Sequence, residues 1–271
     1  MIEVYGVRAD RDLTEEERLA AIEYLTPERK AKALRFRRLK DQEKGILTGL
    51  LEAYVIHRIL HITEYTIQTG SEGKPVIIDH PEFHYNISHA GNLILCGVGD
   101  RELGIDVERE DRYSKRVVER FFQPEEIADI QAQEKETEEK AVFAKYWVMK
   151  ESFMKLSGAG FSVPIQSFFC DRRTGEIRTT EAVPKEWMQR LIEMGLKEDH
   201  QPRCVFLPVD PGYQAAVCML MNRDGNTALA DDERGAGSKE RSEQESDIPV
   251  RIMNSSELLD LQIHPPSKRS T

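Results

Sequence analysis

Hydrophobic positions along the chain switch between strand-like and helix-like spacing, and the switches outline its elements. IEVYGV opens as a short alternating, β-rich run. In DLTEEERLAAIEYL, apolar Leu19, Ile22 and Leu25 recur at helical spacing behind Thr14 and a group of acids, which predicts a capped amphipathic helix. Thr26-Pro27-Glu28 restarts a helix with Pro27 at its first position. KGILTGLLEAYVIHRIL is rich in apolar residues and predicts a longer helix central to the core. A turn at residues 70–75 precedes VIID, FHYNIS, NLILCGVG and LGIDVE. These are strand-like runs separated by Pro81, Ala90-Gly91 and Gly99-Asp100.

The second half follows a similar course. RVVERFFQPEEIADIQ is helical with a break at Pro124, and AVFAKYWVMKESFMKL predicts a strong helix stopped by Ser157-Gly158-Ala159-Gly160. SFFCDR, a TGE turn, a helix around KEWMQRLIEMG, CVFLPV and the strand YQAAVCMLM complete it. Residue-level repetition is too weak to define an internal repeat. The order of elements nevertheless predicts an α+β body of two similar α/β lobes, residues 1–104 and 105–223.

Composition changes the picture at one end. Of the 271 residues, 39% are hydrophobic and 32% charged, and the deficit of apolar residues is localised. Residues 224–271 contain no Phe, Trp or Tyr and carry ten acids against six bases. Such a segment buries too little apolar surface to offset the entropy of ordering, so a disordered tail is expected there. No stretch approaches the roughly 20 apolar residues of a membrane helix. The opening residues lack an apolar core followed by a cleavage site, so no signal peptide is expected. Cys96, Cys170, Cys204 and Cys218 show no metal-type spacing, and three of them sit in apolar, strand-like surroundings where a buried thiol is the ordinary reading. A net charge of −10 disfavours nucleic acid as a partner. The expectation is a soluble, cytoplasmic protein without membrane contacts.

Four features could carry chemistry. In Gly104-Ile105-Asp106-Val107-Glu108, strand alternation puts Asp106 and Glu108 on one face, where two carboxylates suit a hard cation such as magnesium. A strand with one wet face is the plainer alternative. In WVMKESFMK, Trp147, Glu151 and Lys155 form one helical stripe, so that Glu151 could add a third carboxylate and Lys155 could meet a phosphate. An exposed Glu–Lys pair explains the same spacing. Ser88 and His89 end a strand after Gly73-Lys74-Pro75, and no G-x-S-x-G makes Ser88 a nucleophile. Residues 29–44 hold Arg29, Lys30, Lys32, Arg35, Arg37, Arg38, Lys40 and Lys44 against Asp41 and Glu43, either an anion-attracting field or a solvated helix face. Walker and Rossmann glycine motifs are absent. The sum is a phosphate-handling site without a protein nucleophile, at which a partner's hydroxyl attacks a metal-bound phosphate.

In this order, GKP, FHYNISHAG, GIDVE, RFF, WVMKESFMKLSGAG and VDPGYQAAVC resemble the 4′-phosphopantetheinyl transferases of the surfactin-synthetase-activating type. The resemblance runs from IEVYGV to about Met221 and does not reach the tail. It implies a pseudo-dimer of two lobes with the active site in the cleft between them. Coenzyme A is then the co-substrate, and the phosphopantetheine arm passes to a serine of an apo peptidyl or acyl carrier protein, releasing adenosine 3′,5′-bisphosphate. Activation of nonribosomal peptide (antibiotic) or polyketide synthetases is the implied role. Position by position, Asp106, Glu108 and Glu151 resemble the magnesium ligands, with Glu151, Lys155 and His89 as catalytic residues. Lys74, Ser88, His89 and Lys155 resemble coenzyme A contacts, and Arg29 and Lys32 fall where basic residues hold its 3′-phosphate. One departure stands out: Gly45 occupies a position where the family often has Ser or Thr, so that contact is lost, replaced by backbone, or supplied by Thr48. Segment 113–140 is expected to receive the carrier, with Phe121 and Phe122 either its anchors or simply core residues. Deletion of everything after Arg223 is expected to leave folding and transfer intact.

Overall fold

Each of the two long helices that the apolar pattern predicts lies against a small sheet, and the chain divides accordingly. The structure is a computed structural model that describes residues 1–70, 73–158, 160, 164–180, 182–197, 199–222 and 248–261. Unit 1 comprises Met1–Thr69, Pro75–Arg101 and the described part of Pro249–Thr271; unit 2 comprises Gly70–Lys74 and the described part of Glu102–Ile248. The expected boundary at residue 104 therefore lies between Arg101 and Glu102, and the Gly70–Lys74 turn belongs with the second unit.

Unit 1 begins with β1 (Ile2–Arg8), followed by α1 (Glu15–Ile22), α2 (Pro27–Leu34) and α3 (Leu39–Tyr54). A short ribbon of β2 (Ile67–Thr69) and β3 (Pro75–Ile77) leads to the hairpin β4 (His84–Ala90) and β5 (Leu93–Gly99). Strand β5 pairs antiparallel with both β4 and β1. Local chemistry sets the helix starts. Thr14 accepts the Glu17 amide at 3.2 Å while the Glu17 carboxylate accepts the Thr14 amide at 2.8 Å, closing a capping box. Thr26 caps α2, with Pro27 following as the sequence predicts. Leu47, Leu50 and Leu51 of α3 pack with Val7, Ile94 and Cys96 from the sheet in one buried core.

Unit 2 repeats that plan: β6 (Leu103–Arg109), three helices α4 (Lys115–Phe121), α5 (Pro124–Gln131) and α6 (Glu136–Ser157), then a ribbon of β7 (Phe168–Cys170) and β8 (Ile177–Thr179). Helix α7 (Lys185–Glu193) is added before the hairpin β9 (His200–Phe206) and β10 (Tyr213–Asn222), and β10 closes onto β6 just as β5 closes onto β1. Gly158 ends α6 in the left-handed region at φ 62°, which a glycine adopts without strain. The architecture is thus the expected mixed α+β one, with a shared plan in both units. All four cysteines are free and buried.

A fully buried ion pair fixes the rotation of α6. Lys150 Nζ lies 2.9 Å from Glu126 Oε2, and both side chains are 0% exposed. Glu126 also accepts the amides of Cys170 at 2.8 Å and Gln123 at 2.9 Å, so its buried charge is surrounded by donors. The Lys150 ammonium sits 4.8 Å from the centre of the Phe168 ring.

The expectation of a disordered tail is corrected over its middle. Strand β11 (Val250–Asn254) pairs in parallel with β1, and α8 (Ser255–Asp260) packs on α3, β1 and β11. The physical reason is local: Met253 and Leu258 are both 0% exposed within the unit 1 core. Asp10 accepts the Ser255 amide and hydroxyl, and Asn254 caps α8 by accepting the Glu257 amide at 2.8 Å. Residues 224–247 and 262–271 of that expectation lie outside the described residues. Deleting everything after Arg223 would uncover an edge of β1 and part of the core. Leu258→Ala is expected to lower the unfolding free energy by about 2–5 kcal/mol in urea titration, the range for emptying a buried leucine site. Wild-type stability would show that α8 contributes nothing to the core.

Candidate active site

Strand β6 and helix α6 touch backbone to backbone at Gly104. A Cβ built there would lie 2.0 Å from the Ser152 carbonyl oxygen and 2.3 Å from the Leu156 amide nitrogen, so no side chain fits. The crossing carries Asp106 to the helix stripe that bears Glu151 and Lys155. Lys155 Nζ donates to Asp106 Oδ1 at 2.7 Å. Asp106 is 5% exposed, which rules out the wet-face reading of this strand at that position.

Glu151 lies one turn before Lys155 and is partly buried. Burial raises its pKa to about 7, helped by the negative charges of Asp106 and Glu108 and opposed by Lys155. Burial also raises Glu108, against the Arg109 amide, which donates to its carboxylate at 2.8 Å. These carboxylates therefore sense one another electrostatically, and the exposed-pair reading of Glu151 and Lys155 fails. Trp147, at the other end of the stripe, stacks in an aromatic cluster with Phe122 and Phe143.

Magnesium is a cation that the donor chemistry here would suit. Among the described residues, no group of three or more His, Cys, Asp or Glu side chains is arranged to hold a metal ion as it stands. The donors themselves fit: Asp106, Glu108 and Glu151 are hard oxygen ligands whose mutual repulsion a divalent cation would relieve.

Lys74 joins this neighbourhood from the Gly70–Lys74 turn. Its ammonium donates to a Glu102 carboxylate oxygen at 2.5 Å and to the Leu156 carbonyl at 2.9 Å, next to Lys155. Gly73, with φ 88°, makes the turn possible.

The other sequence-derived candidates lie in unit 1. On β4, Ser88 is buried and His89 is exposed. Lys32 is exposed on α2, whereas Arg29 forms a fork with Glu52 of α3. Gly45 has a packing reason: a Cβ there would lie 3.1 Å from Ala33, where α2 and α3 cross. Thr48 is buried, and its hydroxyl donates to the Lys44 carbonyl at 2.7 Å. Phe122 is 4% exposed in the unit 2 core, which removes it as a docking anchor; Phe121 is partly buried beneath Arg120.

Gly104, Glu102 and Glu52 were not among the sequence-derived candidates. A glycine inside a strand pattern signals close backbone approach, and a lone acid inside the apolar α3 run signals a buried partner. Nothing local identifies Glu102.

Gly104→Ala is expected to cost about 3 kcal/mol of stability, the upper end of overpacking, because the colliding atoms are backbone. A variant as stable as wild type in urea would contradict the close crossing. The raised pKa of Glu151 gives a second expectation. The folded state holds this proton more tightly than the unfolded chain, so the stabilising contribution is present below the ordinary carboxylate range and lost as pH rises through about 7. In chelator, Glu151→Gln should therefore melt higher than wild type at about pH 8 and match it at about pH 4. An offset independent of pH would refute the account.

Comparison with known proteins places this geometry. A family model for the 4′-phosphopantetheinyl transferase superfamily matches residues 102–218, and a model for the 4′-phosphopantetheinyl transferase N-terminal region matches residues 12–98. The chain is 32% identical over 220 residues to the 4′-phosphopantetheinyl transferase Sfp of Bacillus subtilis, covering 80% of this chain and 92% of that protein. It is 35% identical over 205 residues to psf-1 of Bacillus pumilus, covering 73% and 81%. Identity to gsp of Aneurinibacillus migulanus is 25% over 208 residues, covering 76% and 80%. With the carboxylate–lysine cluster at Gly104 inside one matched region and β4 inside the other, the chain belongs to the 4′-phosphopantetheinyl transferases.

Proposed function

We propose that this enzyme transfers the 4′-phosphopantetheine arm of coenzyme A to a serine of an apo peptidyl or acyl carrier protein, in the service of nonribosomal peptide or polyketide synthetases. The observation that carries the reading is the cluster of Asp106, Glu108, Glu151 and Lys155 around the β6–α6 crossing. Cytoplasmic action as a monomer, without nucleic-acid or membrane partners, belongs to the same proposal. Among the described residues no helix is long and apolar enough to cross a membrane.

In the proposed reaction the carrier serine oxygen forms a bond to the β-phosphorus of coenzyme A, and the bond from that phosphorus to the bridging oxygen breaks. Adenosine 3′,5′-bisphosphate leaves with the bond's electron pair. Glu151 takes the serine proton as the general base. Lys155, held at the site by Asp106, keeps ammonium donors for the charge that grows on the leaving phosphate. Lys74, fixed by Glu102 and the Leu156 carbonyl, is a further cation for the pyrophosphate. A magnesium ion held by Asp106, Glu108 and Glu151 would neutralise pyrophosphate charge and orient the reacting phosphorus. On unit 1, Ser88 and His89 are assigned as coenzyme A contacts, and Arg29 and Lys32 as partners of its 3′-phosphate.

The same carboxylates could serve a magnesium-dependent phosphohydrolase, and one experiment separates the two. Incubated with coenzyme A, magnesium and an apo carrier, the enzyme should raise the carrier's mass by one phosphopantetheine arm. Without carrier, coenzyme A should stay intact, whereas its hydrolysis by water would favour the hydrolase. Glu151→Gln should abolish transfer while coenzyme A binding changes by no more than a few-fold, as calorimetry would read. Near-normal turnover would exclude Glu151 as the base.

A further inference from the structure

The acidic partner of Arg29 lies 23 residues away and is more deeply buried than the arginine itself. Arg29 Nε donates to Glu52 Oε2 at 2.6 Å, and Arg29 Nη2 donates to Glu52 Oε1. The Glu52 side chain is 2% exposed and that of Arg29 is 18% exposed. A third donor comes from the sheet: the Tyr85 hydroxyl of β4 reaches Glu52 Oε1 at 2.9 Å. Burial, together with the Glu52 carboxylate, pushes the Tyr85 phenol well above its ordinary pKa, so it stays a donor. Burial also opposes the charge on Arg29, but the bonds to Glu52 outweigh it and hold the guanidinium protonated.

Two consequences follow from this geometry. A bidentate fork uses the Nε–Nη2 edge of the guanidinium and fixes its plane, so the remaining N–H groups point in set directions. The partner carboxylate also cancels the charge of Arg29 at a distance. Arg29 therefore offers directed donors, while Lys32, one turn further along α2, offers a solvent-exposed charge. A buried carboxylate with three donors is a costly arrangement, and a bare helix–helix contact between α2 and α3 could be made with apolar residues instead.

We propose that Glu52, held in turn by Tyr85, is a positioning residue that fixes the Arg29 guanidinium toward the 3′-phosphate of coenzyme A and so sets the preference for coenzyme A over 3′-dephospho-coenzyme A. The proposal rests on the reading that Arg29 meets that phosphate. Glu52→Gln nearly preserves shape but loses one strong acceptor, leaving the fork loose.

The test is steady-state transfer to an apo carrier by the full chain, with coenzyme A and with 3′-dephospho-coenzyme A. Glu52→Gln should raise KM for coenzyme A roughly ten-fold, the scale of one charge-assisted hydrogen bond, with little change in kcat. KM for the dephospho substrate should move less than about two-fold, since no 3′-phosphate is there to be misaligned. Tyr85→Phe, which removes only the hydroxyl, should shift the same ratio in the same direction by a smaller factor, and it serves alone if Glu52→Gln does not fold. Arg29→Ala should collapse the preference, and adding Glu52→Gln to it should change nothing more. If Arg29→Ala leaves the preference intact, the phosphate assignment of Arg29 is wrong. If Arg29→Ala collapses it while Glu52→Gln and Tyr85→Phe do not, positioning by Glu52 is overturned. A lower KM for coenzyme A in Glu52→Gln would also overturn it, since Glu52 would then only screen Arg29.

Discussion

The contact between β6 and α6 at Gly104 is the constraint from which the chemistry of unit 2 follows. A side chain there would overlap the Ser152 carbonyl and the Leu156 amide, so strand and helix meet at backbone distance only because the residue is glycine. Two residues beyond the crossing, Asp106 reaches Lys155, and the repulsion among Asp106, Glu108 and Glu151 follows from the same closeness. The buried Lys150–Glu126 pair supplies the complementary control. It points one face of α6 into the core and so leaves the adjacent Glu151 on the face toward β6. Distance is set by an absent side chain, and rotation by a buried charge.

The two units solve the burial of charge in parallel ways. In unit 1, Glu52 takes a cation and a hydroxyl from α2 and β4; in unit 2, Glu126 takes a cation and two amides. In each case the acid tolerates burial because its lone pairs are occupied, and removing one partner would leave a charge stranded in apolar surroundings. Neighbouring elements are thereby locked in register as well as packed.

How much of this was legible in the sequence depended on the range of the interaction. Helix starts at Thr14 and Thr26, the break at Pro124 and the stop at Gly158 rest on residues a few positions apart, and their periodicity and capping chemistry were readable directly. The GIDVE and WVMKESFMK motifs were found, as were the carboxylates within them. What could not be read was the partner at long separation: Glu52 for Arg29, Glu102 for Lys74, Glu126 for Lys150. Lys150 stood in a run that also fits an exposed helix face, and nothing nearby announced that it was buried. Strand β11 was hidden differently. Its five residues, VRIMN, belong to a 48-residue stretch that is polar on average, and composition averaged over that length diluted a short segment whose value lies in completing an existing sheet edge.

That parallel strand has a consequence for how the molecule is made. A ribosome delivers β1 first and β11 late, after the whole of unit 2. The N-terminal unit is thus the first to begin folding and the last to be completed, with one edge of β1 uncovered throughout the synthesis of unit 2. Nascent chains in which translation stops early would carry a finished second unit beside an open first one.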